Sequence, residues 1–353
     1  MAPLHTAFVV DSDSFGAPEA HLARLLRFLP PSVRPSLVVS REVAGFFGGG
    51  SQVRVVPSAR GRSWAPDMQA VLAELAPDVV HVDLPDVRGN EAVLRAAESV
   101  APTVVTLHSG NLPLVDSWDV YNRLIGGFAP LRSLLLTLQE LGVPAHRIRR
   151  IRPGVEIPAT PVPLRSRTPV VVGAVAPLVP EQGLDLLIQA VAALVRRGRA
   201  LQVLIAGDGP ERAALIDRAR GLPVRFVGPV ADAVPLLRRL DVFCAPARQE
   251  VPPGALLTAL AHGVPCLTTA VGDAVDALAG AATIVPPDDA GALASGLERL
   301  VTDAGLRTKL AGDGRELATR NFDVRRVGVQ VAEALAEFSA GARADAGRRG
   351  SSW

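Results

Sequence analysis

The sequence predicts an α/β protein built from two doubly wound domains, each around a parallel sheet. Short apolar runs of strand length alternate with amphipathic helical patterns along most of the 353 residues. Strands that alternate with helices form parallel βαβ units with right-handed crossovers. The alternation stops in one stretch, 148–169, which contains Pro153, Pro158, Pro161, Pro163 and Pro169. A proline-rich stretch without a long apolar period is typical of a linker, so we expect the domain boundary there.

The N-terminal half, 1–155, is the first predicted domain. It opens with a strand at Thr6–Val10 and an amphipathic helix at Pro18–Leu29. Further strands are predicted at 37–40, 53–57, 78–84 and 103–108, and further helices at 67–75 and 91–100. No strand is recognisable between His108 and Leu141.

The C-terminal half, 156–340, is the second predicted domain, and its alternation is more regular. Strands are predicted at 170–175, 201–206, 224–227, 242–245, 265–269 and 283–285, with helices between them and closing helices over 290–338. We expect 341–353 to be a disordered tail. Because ligands bind outside the carboxyl ends of the strands in open parallel sheets, we expect the two sheets to face each other across a ligand-binding cleft. This pattern alone does not separate a transferase from an epimerase or a binding protein.

Composition narrows the function classes. Hydrophobic residues make up 48% of the chain, and the net charge of +2 gives no reason to expect a nucleic-acid partner. Cys244 and Cys266 lie in apolar runs and are expected to be buried thiols. We see no metal-ligand cluster and expect neither a metal nor another cofactor. With no signal-type segment and no apolar run of about 20 residues, the expected location is the cytoplasm, with peripheral membrane contact left open. The oligomeric state does not follow from the sequence.

Two strand-to-helix turns in the second domain could approach a nucleotide. Gly207-Asp208-Gly209-Pro210-Glu211 is either a tight structural turn or a turn whose backbone lies near a ligand. It is not the dinucleotide fingerprint, because Arg212 stands where the third glycine belongs. The stretch 241–261 places Arg248 and Glu250 in a polar loop before a helix that starts near Gly254. The free amides and the dipole at such a helix start favour a diphosphate. Glu250 is read either as a carboxylate near the helix cap or as an acceptor for ligand hydroxyls.

Several segments of the second half resemble glycosyltransferase family 4, whose members are retaining enzymes of the GT-B fold. The matching stretches are LVPEQGLDLLIQA (178–190), LQVLIAGDGPER (201–212), VRFVGPV (224–230), DVFCAP (241–246) and HGVPCLTTAVGD (262–273). In the first half, DVVHVDL, TVVTLH and LGVPAHRIRRIRPGVE are similar to the corresponding pieces of the family. The resemblance implies a GT-B glycosyltransferase of glycan biosynthesis that takes a nucleotide-sugar donor and an unidentified acceptor, and that needs no metal.

The resemblance also implies roles for individual residues. Phe15-Gly16-Ala17 stands where the family has a glycine-rich loop near the acceptor and the donor phosphates, and His108 stands where a family histidine contacts the donor sugar. Glu250 matches the first glutamate of the E-x7-E motif, which binds the sugar, and Thr258 stands at the position of the second. We therefore expect His108 and Glu250 to be catalytic. Residues Gly16, Gly209, Arg248, Gly254 and Thr258 are expected to bind the donor or substrate.

The sequence departs from the family pattern at positions that matter for a diphosphate. Thr258 lacks the second carboxylate, while Pro177 and Gln182 replace an arginine and a lysine that neutralise the leaving diphosphate. Pro252 and Pro253 have no amide hydrogen to offer to the sugar. We expect Arg248 to supply the missing charge. The alternative is a catalytically silent GT-B binding or partner protein. Arg147, Arg149, Arg150 and Arg152 are either a solvated strand face or a surface for an anionic partner such as a phospholipid.

Overall fold

A computed structural model describes residues 2–14, 16–47, 52–56, 64–85, 91–109, 118–165, 167–230, 232–251 and 253–350. The chain divides into two compact units. Unit 1 comprises Met1–Gly154 and Val324–Trp353, and unit 2 comprises Val155–Asp323. Each unit has its own parallel sheet, which confirms the predicted pair of parallel-sheet domains. The first passage between the units, from Gly154 to Val155, lies within the predicted linker.

The sheet of unit 1 has seven parallel strands in the order β3-β2-β1-β4-β5-β6-β7. The strands are β1 (Leu4–Val10), β2 (Val33–Ser40), β3 (Gln52–Val56), β4 (Val79–Leu84), β5 (Thr103–Leu107), β6 (Gly126–Ala129) and β7 (Ile148–Arg150). The helices between them are α1 (Ala17–Arg27), α2 (Arg41–Ala44), α3 (Trp64–Leu75), α4 (Glu91–Glu98), α5 (Trp118–Tyr121) and α6 (Arg132–Glu140). All residues of β4 and β5 are buried, as expected for central parallel strands covered on both faces.

The sheet of unit 2 has six parallel strands in the order β10-β9-β8-β11-β12-β13. The strands are β8 (Val170–Val175), β9 (Leu201–Ala206), β10 (Val224–Gly228), β11 (Val242–Ala245), β12 (Cys266–Thr269) and β13 (Thr283–Val285). The helices are α7 (Leu184–Arg196), α8 (Arg212–Arg218), α9 (Val234–Leu237), α10 (Gly254–Ala261), α11 (Ala274–Leu278), α12 (Ala290–Thr302) and α13 (Ala304–Asn321). In both sheets the strand order reverses once, beside β1 in unit 1 and beside β8 in unit 2. Such a switch point opens a crevice at the carboxyl ends of the strands.

The end of the chain differs from the prediction. A last helix, α14 (Val324–Gly350), returns to unit 1, although 290–338 was predicted to close the second domain and 341–353 to be disordered. Leu335 and Phe338 are buried, and the Phe338 ring lies 5.8 Å from that of Phe128 on β6. Arg343 on α14 also contacts Asp78, with Nη2 3.2 Å from Oδ1. The apolar pattern weakens after 338, but an alanine-rich segment extends a helix that is already anchored upstream.

The strand β6 was missed because its sequence, Gly-Gly-Phe-Ala, lacks the β-branched residues that mark strands. Its first glycine has a packing reason. A Cβ on Gly126 would lie 2.3 Å from the Phe338 ring, so only glycine leaves room for α14 at this point of the sheet.

Candidate functional site

The carboxyl edge of the unit 1 sheet brings His108 against an aspartate. His108 directly follows β5, and its Nε2 lies 2.9 Å from Oδ1 of Asp83 on the adjacent strand β4. The two side chains are 6% and 2% exposed. The second oxygen of Asp83, Oδ2, is also buried and has no hydrogen-bond partner among the described residues. The sequence prediction named His108 but missed Asp83.

Two more histidines lie beside this pair. The His21 ring on α1 is 6.1 Å from the His108 ring, and burial lowers the pKa of His21 to about 3. His81 on β4 accepts or donates a hydrogen bond of 2.7 Å between Nε2 and Oγ1 of Thr106, and burial lowers its pKa to about 4. Both rings are therefore neutral near pH 7. They add polarity to this edge of the sheet without adding charge.

Gly16 lies at the start of α1, and its amide already has a partner. It donates a hydrogen bond of 2.8 Å to Oε2 of Glu19, whose side chain is buried. The carboxylate caps the positive end of the helix. A donor phosphate at this amide would have to displace Glu19. Phe15, the neighbouring residue of the predicted loop, lies outside the described residues.

Two of the four alternating arginines near β7 contact the last helix. Arg149 pairs with Glu337 at 3.2 Å and lies over the Phe338 ring, and Arg147 pairs with Asp345 at 3.6 Å. These two side chains thus help to hold α14 on unit 1. From the sequence we expected either a solvated strand face or a surface for an anionic partner, and neither alternative included this contact. A phospholipid partner stays a prediction.

In unit 2, Glu250 lies in the loop between β11 and α10. Its Oε1 is buried and has no hydrogen-bond partner among the described residues. The carboxylate lies directly over Gly272 in the turn after β12, where a Cβ would come within 2.4 Å of Oε1. Gly272 also has a φ of 54°, which favours glycine. The close approach and the positive φ explain why this turn needs glycine under Glu250. An unsatisfied buried carboxylate oxygen is suited to accept a hydroxyl of a ligand.

The helix after Glu250 begins without a side-chain cap. The first described hydrogen bond from its amides is that of Leu257 to the Pro253 carbonyl, at 2.9 Å. Apart from its chain neighbours and the backbone of its own helix, no described atom lies within 4 Å of the position that a Cβ on Gly254 would take. The amides of Gly254, Ala255 and Leu256 thus have no described acceptor, which leaves the first turn of α10 open, and these amides can receive an anion. The Thr258 hydroxyl donates to the Gly254 carbonyl at 2.7 Å, so it is engaged within the helix. Pro252 lies outside the described residues.

Gly209 serves the packing of its own turn. Gly207 and Gly209 have φ values of 143° and 156°, and Cβ atoms there would meet the carbonyl oxygens of Ala176 and Leu178 at 1.8 and 2.6 Å. These glycines let the turn after β9 lie against the turn after β8. The following helix, α8, has only seven residues. The geometry favours the reading of a tight structural turn over a direct role of Gly209 with a nucleotide.

Arg248 does not have the free guanidinium that a phosphate clamp requires. Its Nη1 and Nη2 lie 2.7 and 2.8 Å from the two carboxylate oxygens of Asp185, and its Nε lies 2.6 Å from Oδ1 of Asp288. Nη1 also donates to the Pro180 carbonyl at 2.8 Å. Hydrogen bonds from Arg248 hold the pKa of Asp185 below its usual range. The expected phosphate role is thus opposed by the structure, because both carboxylates already neutralise this cation.

Arg248 instead ties together three loops of unit 2. Besides its side-chain contacts, its backbone amide donates to the Glu181 carbonyl at 2.8 Å. Gln182, one of the positions that lack a family cation, is the last residue of this 3-10 turn, Pro180–Gln182. Arg218 adds a weaker contact to Asp185 at 3.4 Å. The network fixes the loop that carries Glu250 to the start of α7 and to the segment after β13.

His108 and Glu250 lie in different units, and the expectation that they line one cleft stays a prediction. Within the described residues, no group of three potential metal ligands comes together. Across the same residues, the structure contains no helix that is long and apolar enough to span a membrane.

Comparison with known proteins finds similarity chiefly in unit 2. Residues 167–303 match the family model described as Glycosyl transferases group 1. The chain is 29% identical over 160 residues to the capsular polysaccharide biosynthesis glycosyltransferase CapM of Staphylococcus aureus, covering 43% of this chain and 42% of CapM. It is 38% identical over 107 residues to a GDP-mannose-dependent phosphatidylinositol dimannoside mannosyltransferase of Mycobacterium tuberculosis, covering 29% of this chain and 28% of that protein. In both cases the chain spans less than half of the relative's length.

Solved structures share the fold over nearly the whole chain. A glycosyltransferase from Rickettsia africae aligns with a TM-score of 0.78 at 16% identity, covering 96% of this chain and 99% of that one. HepE from Anabaena in complex with UDP aligns with a TM-score of 0.75 at 18% identity, covering 95% and 100%. The predicted GT-B fold is thereby confirmed. Residues 167–303 are similar to the group 1 glycosyltransferases. Family 4 in particular stays a prediction.

Proposed function

We propose that this protein is a glycosyltransferase that moves a sugar from a nucleotide-diphosphate donor to an acceptor hydroxyl with retention of configuration. The observation that carries the proposal is the arrangement at the carboxyl edge of the unit 2 sheet. Glu250 has a buried oxygen without a described partner, and the open first turn of α10 follows it within four residues. A carboxylate for sugar hydroxyls and a helix start for phosphates are the two elements that a nucleotide-sugar needs.

The comparisons support the donor class and favour a transferase over the silent alternative. The arrangement lies in the stretch that matches the glycosyltransferase family model, and HepE was solved with UDP and with UDP-glucose. Retention is proposed on the resemblance to family 4, with a donor phosphate oxygen taking the proton of the acceptor. Binding to the amides of α10 needs no metal, and no metal is assigned a role. The proposed location is the cytoplasm.

A donor screen followed by one substitution tests the proposal. Thermal shift with UDP, GDP and ADP selects the nucleotide, and donor consumption with the matching sugar nucleotides measures turnover. Glu250→Gln should reduce turnover by about 10²-fold or more, because it removes a charge-assisted contact to the sugar. Affinity for the nucleotide alone should stay unchanged. Proton NMR of the product gives its anomeric configuration.

Gln249→Ala is the matched control, since Gln249 is the exposed neighbour of Glu250 in the same loop. It should leave turnover and nucleotide affinity as in the parent. Equal turnover in Glu250→Gln and the parent would remove the assigned role of Glu250. Absence of binding to every nucleotide diphosphate would refute the proposed donor class.

A further inference from the structure

The buried pair at the carboxyl edge of the unit 1 sheet determines which ring atom of His108 can meet a ligand. We propose that Asp83 is a positioning residue that accepts the Nε2–H of His108 and so leaves Nδ1 as the atom that faces a sugar hydroxyl. The role of the hydroxyl rests on the proposed function, whereas the state of the ring does not.

The hydrogen bond fixes the proton on one nitrogen. Oδ1 of Asp83 lies 2.9 Å from Nε2, and an ionised carboxylate can only accept a hydrogen bond. Nε2 must therefore carry a proton in both charge states of the ring. Ionisation of His108 then changes only Nδ1, which accepts a hydrogen bond when the ring is neutral and donates one when the ring is charged. Nδ1 has no hydrogen-bond partner among the described residues.

The fold holds both members of the pair in place. Asp83 and His108 are contributed by adjacent parallel strands, whose register pairs Asp83 with Thr106 and Leu84 with Leu107. The His108 amide donates to the Leu84 carbonyl at 3.0 Å, so the strand ladder continues to His108. With the backbone fixed on both sides, the side-chain hydrogen bond sets the orientation of the ring.

The environment supports a role beyond packing. A buried carboxylate that only packs would be expected to satisfy both oxygens, yet Oδ2 of Asp83 has no described partner. The nearby His21 ring is neutral, because burial keeps its pKa at about 3, and it does not compete for Asp83 by charge. The geometry therefore leaves Nδ1 of His108 and Oδ2 of Asp83 with unused hydrogen-bonding capacity at one strand edge.

Nitrogen-15 NMR of histidine-labelled full-length protein tests the proposal. In the wild-type protein, Nε2 of His108 should keep its proton through a pH titration, while Nδ1 alone changes. Asp83→Asn should move the ring proton toward Nδ1, because the amide NH₂ of asparagine can donate to Nε2. Thr106→Val is the matched control, since it removes a hydrogen bond of similar length to a different buried histidine, His81, on the same pair of strands. It should leave the His108 signals unchanged.

An activity measurement separates this proposal from the proposed function. Asp83→Asn should lower kcat for sugar transfer by about 10–100-fold without changing the affinity for the nucleotide, and Thr106→Val should keep the parent kcat. If wild-type Nε2 lacks a proton, or if Asp83→Asn leaves the tautomer unchanged, the positioning role is refuted. The wild-type spectrum decides this even if the variant does not fold. If the NMR spectrum shows the expected tautomer but the parent protein transfers no sugar, the proposed function is refuted instead.

Discussion

Replacing Arg248 with alanine should destabilise unit 2 rather than act chiefly on nucleotide binding. The substitution removes both hydrogen bonds to the Asp185 carboxylate and the contact to Asp288. Asp185 is 12% exposed, Arg248 27%, and Asp288 64%. Loss of one partner from a buried pair costs about 3–5 kcal/mol, whereas exposed pairs contribute about 0.2–1 kcal/mol. The Arg248–Asp185 pair is intermediate in burial, and Arg218 stays near Asp185 in the variant. We therefore expect the free energy of unfolding to fall by about 2–3 kcal/mol.

Thermal unfolding followed by circular dichroism measures this loss. About 2–4 °C per kcal/mol for a domain of this size gives a decrease in Tm of about 4–12 °C. Arg220→Ala is the control, because its ion pair with Asp217 joins side chains that are 80% and 65% exposed, and it should change Tm by about 1 °C or less. An Arg248→Ala variant as stable as Arg220→Ala, with weakened nucleotide binding, would restore the phosphate-clamp reading.

The pH dependence of the Arg248 effect provides a second check. The pKa of Asp185 in the folded protein is held below its ordinary value of 3.8, mainly by the hydrogen bonds from Arg248. A lowered carboxyl pKa stabilises the folded state above the ordinary value, and this stabilisation is lost as the pH falls through the lowered pKa. The difference in Tm between wild type and Arg248→Ala should therefore be full at pH 6 to 7 and shrink below about pH 4. A difference that stays constant down to pH 3 would contradict this account.

Two further substitutions test unit 1. Gly126→Ala should loosen α14, because a Cβ would lie 2.3 Å from the Phe338 ring. We expect the free energy of unfolding to fall by about 1–3 kcal/mol and amide exchange along α14 to become faster. Gly341→Ala should have neither effect, because no described atom outside the neighbouring backbone of α14 lies within 4 Å of its Cβ position. Burial lowers the pKa of His81 from 6.5 to about 4. The contribution of His81 to the free energy of unfolding should therefore fall by about 1.4 kcal/mol per pH unit as the pH is lowered from 6.5 to 4. Urea unfolding at several pH values in this range measures the change in the free energy of unfolding per pH unit. This change should be correspondingly smaller in His81→Leu than in the wild type, and an equal change would show that other groups cause the pH dependence.

The sequence predicted the features that depend on local pattern. The strands before His108 and Glu250 are buried apolar runs, and a parallel sheet places the residues after such runs at its carboxyl edge. The same reasoning could have found Asp83. It occupies the fifth position of the alternating run VVHVDL, and the register of two adjacent parallel strands brings this position near the residue that follows the next strand.

The features that were missed depend on contacts between distant parts of the chain. Arg248 is two residues from Glu250, which suggested a shared ligand, but its main partner is Asp185, 63 residues earlier in the sequence. Likewise, β6 has a weak sequence pattern but pairs with β5 and β7, and Phe338, more than 200 residues later, packs over Gly126. Neither contact has a local signature, so neither could be read from spacing or periodicity.

The Arg248 network also bears on how a diphosphate could be bound. The cluster consists of two arginines, Arg248 and Arg218, and two aspartates, Asp185 and Asp288. Their formal charges sum to zero. The cluster therefore adds no net positive charge to the loop that carries Glu250, and Pro177 and Gln182 add none from the turn after β8. In the loop that carries Glu250, the open start of α10 is the feature whose electrostatics favour an anion. Backbone amides and a helix dipole keep their polarity at every working pH and are screened by salt. Nucleotide binding to this site should accordingly depend more on ionic strength than on pH between 6 and 9.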